Sequence, residues 1–134
     1  MNFIKIISIK SIVIFSLCNI YFSYNVKADE LTVKQLESFP LEKQIAMLKG
    51  YKMRARRIVV PAGMSIDKHE HTTRAGIVYV ESGEIIEYRF FGDEKQSRTL
   101  TVGETLIEDF NTVHGYINKS KKDCVLIAID IPTL

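Results

Sequence analysis

The chain is poor in cysteine and carries little net charge. Only Cys124 would remain after removal of the first 28 residues, so the shortened chain cannot form an internal disulfide. Three of the 18 basic residues, Lys5, Lys10 and Lys27, precede Asp29, which leaves 15 basic against 16 acidic residues in the remainder. This balance gives no electrostatic case for binding nucleic acid. The 134 residues are too few for two domains, so we expect one domain with one core.

The N-terminus has the pattern of an export signal. Lys5 and Lys10 precede an apolar stretch that begins at Ile12, and Val26-Lys27-Ala28 is a small-residue cleavage site. We expect cleavage after Ala28, which would give a periplasmic or secreted protein that is not attached to a membrane. The alternative is an uncleaved anchor, because the apolar stretch is nearly long enough to span a bilayer.

Residues 29–50 have helical character. Leu41, Ile45 and Leu48 recur at positions i, i+4 and i+7, Pro40 suits a first helical turn and Gly50 suits the end of a helix. The spacing predicts a short N-terminal helical arm that packs on the outside of the domain or against a second subunit.

From residue 51 onward the pattern changes to β-structure. Runs of β-branched and aromatic residues alternate with turn signals, and they predict strands at 53–60, 77–81, 84–91, 98–102, 105–110, 115–118 and 124–131. Several short strands with no long helix among them indicate an all-β sandwich or barrel over residues 51–134. Cys124 stands in the last apolar run, which favours a buried, inert thiol.

All three histidines stand in glycine-punctuated segments: Gly63-x5-His69-x-His71 and Gly103-x10-His114-x3-Asn118. Neutral imidazole is a strong ligand for divalent first-row metals. Residues two apart on a strand face the same way, so one strand can offer both His69 and His71. The sequence therefore predicts one metal site made of His69, His71 and His114.

These segments resemble the two motifs of the cupin superfamily. The first motif would run from Gly63 through both histidines to Gly83, and the second from Gly103 to Asn118. The resemblance covers roughly residues 53–131. It implies a double-stranded β-helix, or jelly-roll barrel, to which the helical arm would be added. Because cupins often pair through their barrel edges, a homodimer is also expected.

The chain departs from the cupin motifs at three positions. The glutamate that usually supplies a fourth ligand is replaced by Gly76, and the second motif's proline and glycine are Asp109 and Asn111. In cupins the residues matching Leu106 and Glu108 point inward, so Glu108 is the candidate catalytic carboxylate. Three readings stay open for it: a fourth ligand, an unligated general acid or base, or a strand-edge glutamate that faces water.

Three further residues are candidates for contact with a substrate. Arg74 could bind an anion through its planar fork of donors, although a loop arginine paired with a surface acid has the same pattern. Tyr79 and Tyr116 could line an apolar pocket around the metal, although aromatic residues in a small barrel are usually core. Glu87 and Arg89 stand in a strand with apolar residues on both faces, so their direction stays open, with a solvated surface pair the more frequent outcome.

A three-histidine site leaves a divalent metal its full charge and open coordination positions, which favours Lewis-acid or oxygen-activating chemistry. The pattern resembles the cupin dioxygenases, in which iron(II) holds a thiol or diketone substrate together with oxygen. The missing glutamate counts against the manganese oxalate chemistry of germin-like cupins, but iron, zinc, manganese, nickel and copper all remain candidates for the metal.

The sequence thus predicts an exported metal-binding cupin that acts on a small polar molecule, with an iron-dependent, dioxygenase-like enzyme as the leading version. The alternatives are a non-catalytic, metal-dependent binding or sensing module, and a barrel that binds no metal.

Overall fold

The computed structural model describes residues 30–134. They form nine strands and two short 3-10 helices. The strands are β1 (Thr32–Pro40), β2 (Lys52–Val60), β3 (Ser65–Glu70), β4 (Gly76–Ser82), β5 (Glu84–Phe91), β6 (Glu94–Thr101), β7 (Thr105–Glu108), β8 (Val113–Ile117) and β9 (Cys124–Asp130). The predicted export signal and its cleavage after Ala28 lie outside these residues. Within 30–134, no helix has the length and apolar character needed to cross a membrane.

The strands form two antiparallel sheets. One has five strands in the order β1-β2-β9-β4-β7, and the other has four in the order β3-β8-β5-β6. Side chains from both sheets pack into one hydrophobic core, which includes Val60, Val80 and Leu126 from the first sheet and Ile85 and Leu100 from the second. The all-β jelly-roll predicted from the sequence is therefore confirmed.

The predicted N-terminal helical arm is wrong. Residues Thr32 to Pro40 form an edge strand that pairs with β2 along its whole length, and only two 3-10 turns follow, at Leu41–Lys43 and Ala46–Leu48. Of the apolar residues that indicated a helix, Leu41 is buried but Ile45 is 48% exposed, so the predicted apolar face is not buried as a whole. A short helix with an unburied apolar face is unstable, whereas the edge of β2 offers backbone groups for a strand to pair with.

Strand β3 forms where no strand range was predicted, and the remaining strands fall close to the predicted ranges, except at β6. This strand begins at Glu94 rather than at residue 98 and pairs with β5 from Phe91↔Glu94 onward. The Gly92-Asp93 turn closes a two-residue hairpin, so pairing continues through a polar, exposed stretch that has no hydrophobic pattern.

The interpretation of Cys124 as a buried thiol is confirmed, and Asn118, the last motif position, has a structural role. Cys124 is fully buried, and burial, followed by the charge of Glu84, raises the pKa of its thiol to about 11. Asn118 fixes a turn, because its amide donates to the carbonyls of Val60 and Lys122 at 2.9 and 2.8 Å. The Asn118 amide therefore joins the end of β2 to the turn that precedes β9.

Candidate metal centre

The three histidines converge on the inner side of the four-stranded sheet. His69 on β3 is the direct cross-strand partner of His114 on β8. His71 follows the end of β3, and its backbone N–H donates to the carbonyl of Thr112 at 3.0 Å. The ring centroids lie 4.7 Å (His69–His114), 5.0 Å (His71–His114) and 5.1 Å (His69–His71) apart. One ring nitrogen from each residue can be chosen so that all three lie within 4.8 Å of one another.

Burial keeps two of these imidazoles neutral. The pKa of His71 is lowered to about 4 by burial and by the neighbouring charges of Arg74, His114 and His69. Burial also lowers the pKa of His69, against the opposing effect of its hydrogen bond to Asp67. Neutral imidazoles keep the lone pair that a metal requires, so the environment favours the ligating form at neutral pH.

Hydrogen bonds behind the rings set which nitrogen faces the centre. The Nδ1–H of His114 donates to Glu87 Oε1 at 2.9 Å, and that of His69 donates to the Asp67 carbonyl at 2.9 Å. Both tautomers are assigned from these partners, since a carboxylate and a carbonyl can only accept. Nε2 of each ring is therefore the nitrogen with a free lone pair, the arrangement usual for metal-binding histidines.

The geometry fits a metal ion. The Nε2 atoms of His71 and His114 face each other at 3.1 Å. Two imidazole nitrogens that each lie about 2.0–2.1 Å from one zinc ion, at octahedral or tetrahedral angles, would be roughly 2.8–3.4 Å apart. His71 Nδ1 is buried and has no hydrogen-bond partner in the described chain. The His69, His71 and His114 cluster could thus hold a metal ion.

Glu108 lies beside this cluster. It is 4% exposed, so the reading of a strand-edge glutamate that faces water is wrong. Its Oε1 accepts a hydrogen bond from the Tyr116 hydroxyl at 2.9 Å and lies 3.4 Å from His114 Nε2. Its Oε2 lies 3.6 Å from His71 Nδ1. Burial, followed by the negative charge of Glu108, raises the pKa of Tyr116, so the phenol stays protonated and can donate.

Glu108 also lies next to the position where the cupin motif has its glutamate. Gly76 is the cross-strand partner of Glu108 on one side and of Asp130 on the other. A Cβ at position 76 would lie 2.9 Å from the carbonyl oxygen of Ile129 and 3.1 Å from the Cβ of Asp130. The close approach of β9 therefore requires glycine here, and Glu108 places a carboxylate one strand away.

A cavity of about 500 Å³ opens onto the cluster. Its walls include His69, His71, Glu108, Tyr116 and Arg74. The structure thus brings five of the seven predicted site residues to this cavity, and buried His114 completes the cluster beneath it.

Tyr79 does not line the cavity. On β4 the inward positions are Val78 and Val80, and Tyr79 between them is 41% exposed on the outer face. The alternation of side chains along a strand accounts for this placement.

Glu87 has a larger part in the site than its sequence indicated. Only 2% of it is exposed, and it accepts hydrogen bonds from His114 and, at 2.5 Å, from the Nε–H of Arg89. Burial by itself would raise the pKa of Glu87, but the bonds from His114 and Arg89 outweigh burial and lower it. Apolar residues on both faces of β5 hid this orientation in the sequence.

Sequence reasoning missed one buried carboxylate of the described chain, that of Asp130. It is 1% exposed and forms ion pairs with Arg54 and Arg56 at 2.7 and 2.9 Å. The one available signal was the spacing of Arg54 and Arg56, which places both on the same face of β2.

Residues 56–130 match the model of a family described as the Cupin domain. Because this match covers more than half of the chain, the protein belongs to the cupin family. None of the curated proteins matches the chain.

Solved structures with the same fold share little sequence with this chain. Oxalate oxidase in complex with glycolate aligns with a TM-score of 0.59 and 17% identity, over 77% of this chain and 51% of that one. KdgF from Halomonas sp. aligns with a TM-score of 0.61 and 19% identity, over 78% of this chain and 80% of that one. A Cupin 2 conserved barrel domain protein from Salinispora arenicola aligns with a TM-score of 0.55 and 16% identity, over 75% of this chain and 74% of that one. The chain spans about half the length of the oxalate oxidase, and identities this low show a shared fold only.

Proposed function

We propose that this protein is a metal-dependent cupin that binds one divalent transition metal through His69, His71 and His114 and acts on a small polar molecule. The observation that carries the proposal is the convergence of the three histidines on a cavity of about 500 Å³. A cavity of this size suits a small-molecule ligand. A metal held there would supply a Lewis acid with positions open to an oxygen ligand or to dioxygen.

The residues around the cluster can orient a ligand and move a proton. Glu108 is close to both His71 and His114 without belonging to the three-histidine group, so we assign it the role of general acid or base. Tyr116 holds one carboxylate oxygen of Glu108, which leaves Oε2 as the proton-accepting atom. Ile58, Val78 and Leu126 line the cavity nearby and exclude water from part of it.

The leading enzymatic version is an iron-dependent, dioxygenase-like reaction. A cluster of three histidines with no carboxylate among them supports it, because imidazole ligands leave a metal its full charge. In the oxalate oxidase structure the same fold holds glycolate, a molecule of the size we propose. That neighbour supports the fold and not its reaction, since Gly76 replaces the glutamate of the motif.

Metal analysis tests the proposed site first. The protein is purified without a histidine tag, incubated in turn with iron, zinc, manganese, nickel and copper, and compared with the His69→Ala/His114→Ala variant. We expect about one equivalent of metal in the unmodified protein and almost none in the variant. Glu108→Gln is the matched control and should keep its metal. Failure of every ion to bind would contradict the proposal.

Oxygen consumption separates the enzyme from a binding module. The iron-loaded protein is supplied with small thiols, diketones and hydroxy acids, and oxygen uptake is recorded for the unmodified protein and for Glu108→Gln. An enzyme consumes oxygen with one substrate class and loses most of this activity in the variant. Stabilisation by a ligand in a melting experiment, with no consumption, would instead support the non-catalytic binding or sensing barrel.

We also propose that the protein is exported and pairs as a homodimer. Ile107, Ile77 and Ile129 form one cross-strand row on the outer face of the five-stranded sheet, and they are 66%, 50% and 45% exposed. An exposed apolar row of this kind is typical of an interface. Sedimentation should give a dimer that Ile77→Lys dissociates, and the mass of the exported protein should correspond to cleavage after Ala28.

A further inference from the structure

Three arginines surround one carboxylate at the wall of the cavity. Arg54 and Arg56 project from β2 toward Asp130 on β9, and Arg74 follows His71 in a turn closed by its backbone N–H and the His71 carbonyl at 3.1 Å. We call these four residues the arginine cluster. Arg56 and Arg74 line the same cavity as the histidines.

The cluster has more positive charge than Asp130 can neutralise. Arg54 takes both carboxylate oxygens, with Nε at 3.0 Å from Oδ1 and a terminal nitrogen at 2.7 Å from Oδ2. Arg56 shares Oδ2 at 2.9 Å, whereas the nearest nitrogen of Arg74 lies 3.9 Å away, beyond hydrogen-bond distance. One carboxylate thus faces three guanidinium groups, and two positive charges are left over.

Arg56 and Arg74 also keep unused donors. The Nε of Arg56 is buried and has no hydrogen-bond partner among residues 30–134. Burial lowers the pKa of Arg56, and the like charges of Arg54 and Arg74 add to this against the pull of Asp130. A buried donor without a partner is costly, so Arg56 stands at the cavity wall with its hydrogen-bonding capacity incompletely used.

The other charged groups of the cavity leave room for one small anion. Glu108 is the single buried acid on its wall, while Asp67, Lys68 and Glu70 are exposed at its rim. The two surplus guanidinium charges outnumber the Glu108 carboxylate, and the exposed rim groups, whose formal charges sum to −1, interact only weakly through water. A planar guanidinium matches a carboxylate with two parallel hydrogen bonds, which an ammonium group cannot do.

We propose that Arg56 and Arg74 bind a carboxylate group of the ligand and hold it beside the histidine cluster, with Asp130 as the residue that positions the arginines. The inference rests on the proposed function and names its substrate class: small carboxylic acids. Asp130 acts through Arg56, because its ion pair fixes the guanidinium against the cavity wall.

Calorimetric titration with glycolate tests this subsite. The matched neutral probe is glycolamide, and the variants are Arg74→Gln and Arg56→Lys, which keeps the charge and loses the fork. Arg57→Gln is the control, because Arg57 is the neighbour of Arg56 on β2 but is exposed and pairs with exposed Glu81. We expect glycolate affinity to fall at least about tenfold in both variants and to stay within about twofold in the control. Glycolamide should bind weakly to all four proteins.

Each titration is run with metal-loaded and with metal-free protein. A chain that takes up no metal contradicts the proposed function, while arginine-dependent binding of glycolate to the metal-free protein would still support the subsite. Unchanged glycolate affinity in both variants, equal binding of glycolamide, or no glycolate binding to the unmodified protein would overturn the inference. Inorganic phosphate is the last probe, and its binding in place of glycolate would also overturn it.

Discussion

The two sheets contribute different chemistry to one cavity. The four-stranded sheet carries His69 and His114 as cross-strand neighbours, with Glu87 behind His114. In the described chain the five-stranded sheet carries no histidine and instead bears Glu108 and the arginine cluster residues of β2 and β9. Metal ligation therefore depends mainly on pairing within the four-stranded sheet, whereas the five-stranded sheet supplies Arg56 for the ligand's charge, and the β3–β4 connection adds His71 and Arg74. The two properties should be separable by mutation, which the following predictions test.

The largest expected effect is loss of stability in Asp130→Asn. Without this carboxylate, Arg54 and Arg56 keep two partly buried charges with no partner, so the free energy of unfolding should fall by about 3 kcal/mol. Urea denaturation of the metal-free protein measures this change. Metal affinity should stay within about twofold, because no ligand histidine is moved. The control is Asp93→Asn, in the exposed β5–β6 turn. A large loss of metal affinity in Asp130→Asn would show that metal binding and the arginine cluster cannot be separated by mutation.

The same variant gives a pH dependence. Burial by itself would raise the pKa of Asp130, but the Arg54 hydrogen bond and the charges of Arg56, Arg54 and Arg74 hold it below its usual value. The folded pKa is then below the unfolded value of about 3.9, so the contribution is complete above that pH and is lost as pH falls through the folded pKa. The difference in free energy of unfolding between the unmodified protein and Asp130→Asn should therefore decrease below about pH 4. A constant gap in acid would contradict this assignment.

Restoring the motif glutamate in Gly76→Glu should destabilise the protein by about 2 kcal/mol. The new Cβ would press on the backbone of Ile129 and on Asp130. Gly76→Ala separates the steric cost from the added charge and should account for most of the loss in thermal or urea unfolding. Full stability together with tighter metal binding would show that the space at position 76 is open to a fourth ligand.

Glu87→Gln should weaken metal binding by about 10- to 100-fold, because the charged acceptor behind the His114 ring is lost. Competition with a chelator measures the affinity. The control is Glu94→Gln, an exposed glutamate on the neighbouring strand. Glycolate affinity of the metal-free protein should be unaffected. Equal metal affinity of Glu87→Gln and Glu94→Gln would contradict the proposal that the Glu87 carboxylate supports metal binding by His114.

The smallest effect is expected from Tyr116→Phe. The buried Glu108 carboxylate loses its hydrogen bond from the phenol, and the ring volume is preserved, so stability should fall by about 1 kcal/mol. Tyr79→Phe is the matched control, because Tyr79 is on the outer face of β4 and should change stability by less than about 0.5 kcal/mol. A larger loss of stability in Tyr79→Phe than in Tyr116→Phe would show that the Tyr79 hydroxyl, and not the bond to Glu108, stabilises the fold.

Much of the histidine site was predictable because strand spacing is local. The positions of His69 and His71 imply a shared face in extended backbone, and Glu108 follows from the alternation with Leu106. The orientation of Tyr79 could have been read from Val78 and Val80 in the same way. The N-terminal strand was missed, because the helical spacing lies at residues 41–48, which form only two 3-10 turns, whereas residues 32–40 pair with β2.

The sequence by itself determined the all-β class and the spacing of His69 and His71, because both depend on residues close together along the chain, and the resemblance to the cupin motifs added His114. Only the tertiary structure decided that Glu87 supports His114, that Asp130 holds two arginines and that Glu108 lies across from Gly76. These contacts join residues that are 27 or more positions apart along the chain, and they depend on the order of the strands in each sheet and on which faces meet. Neither property is encoded in the spacing along a single strand.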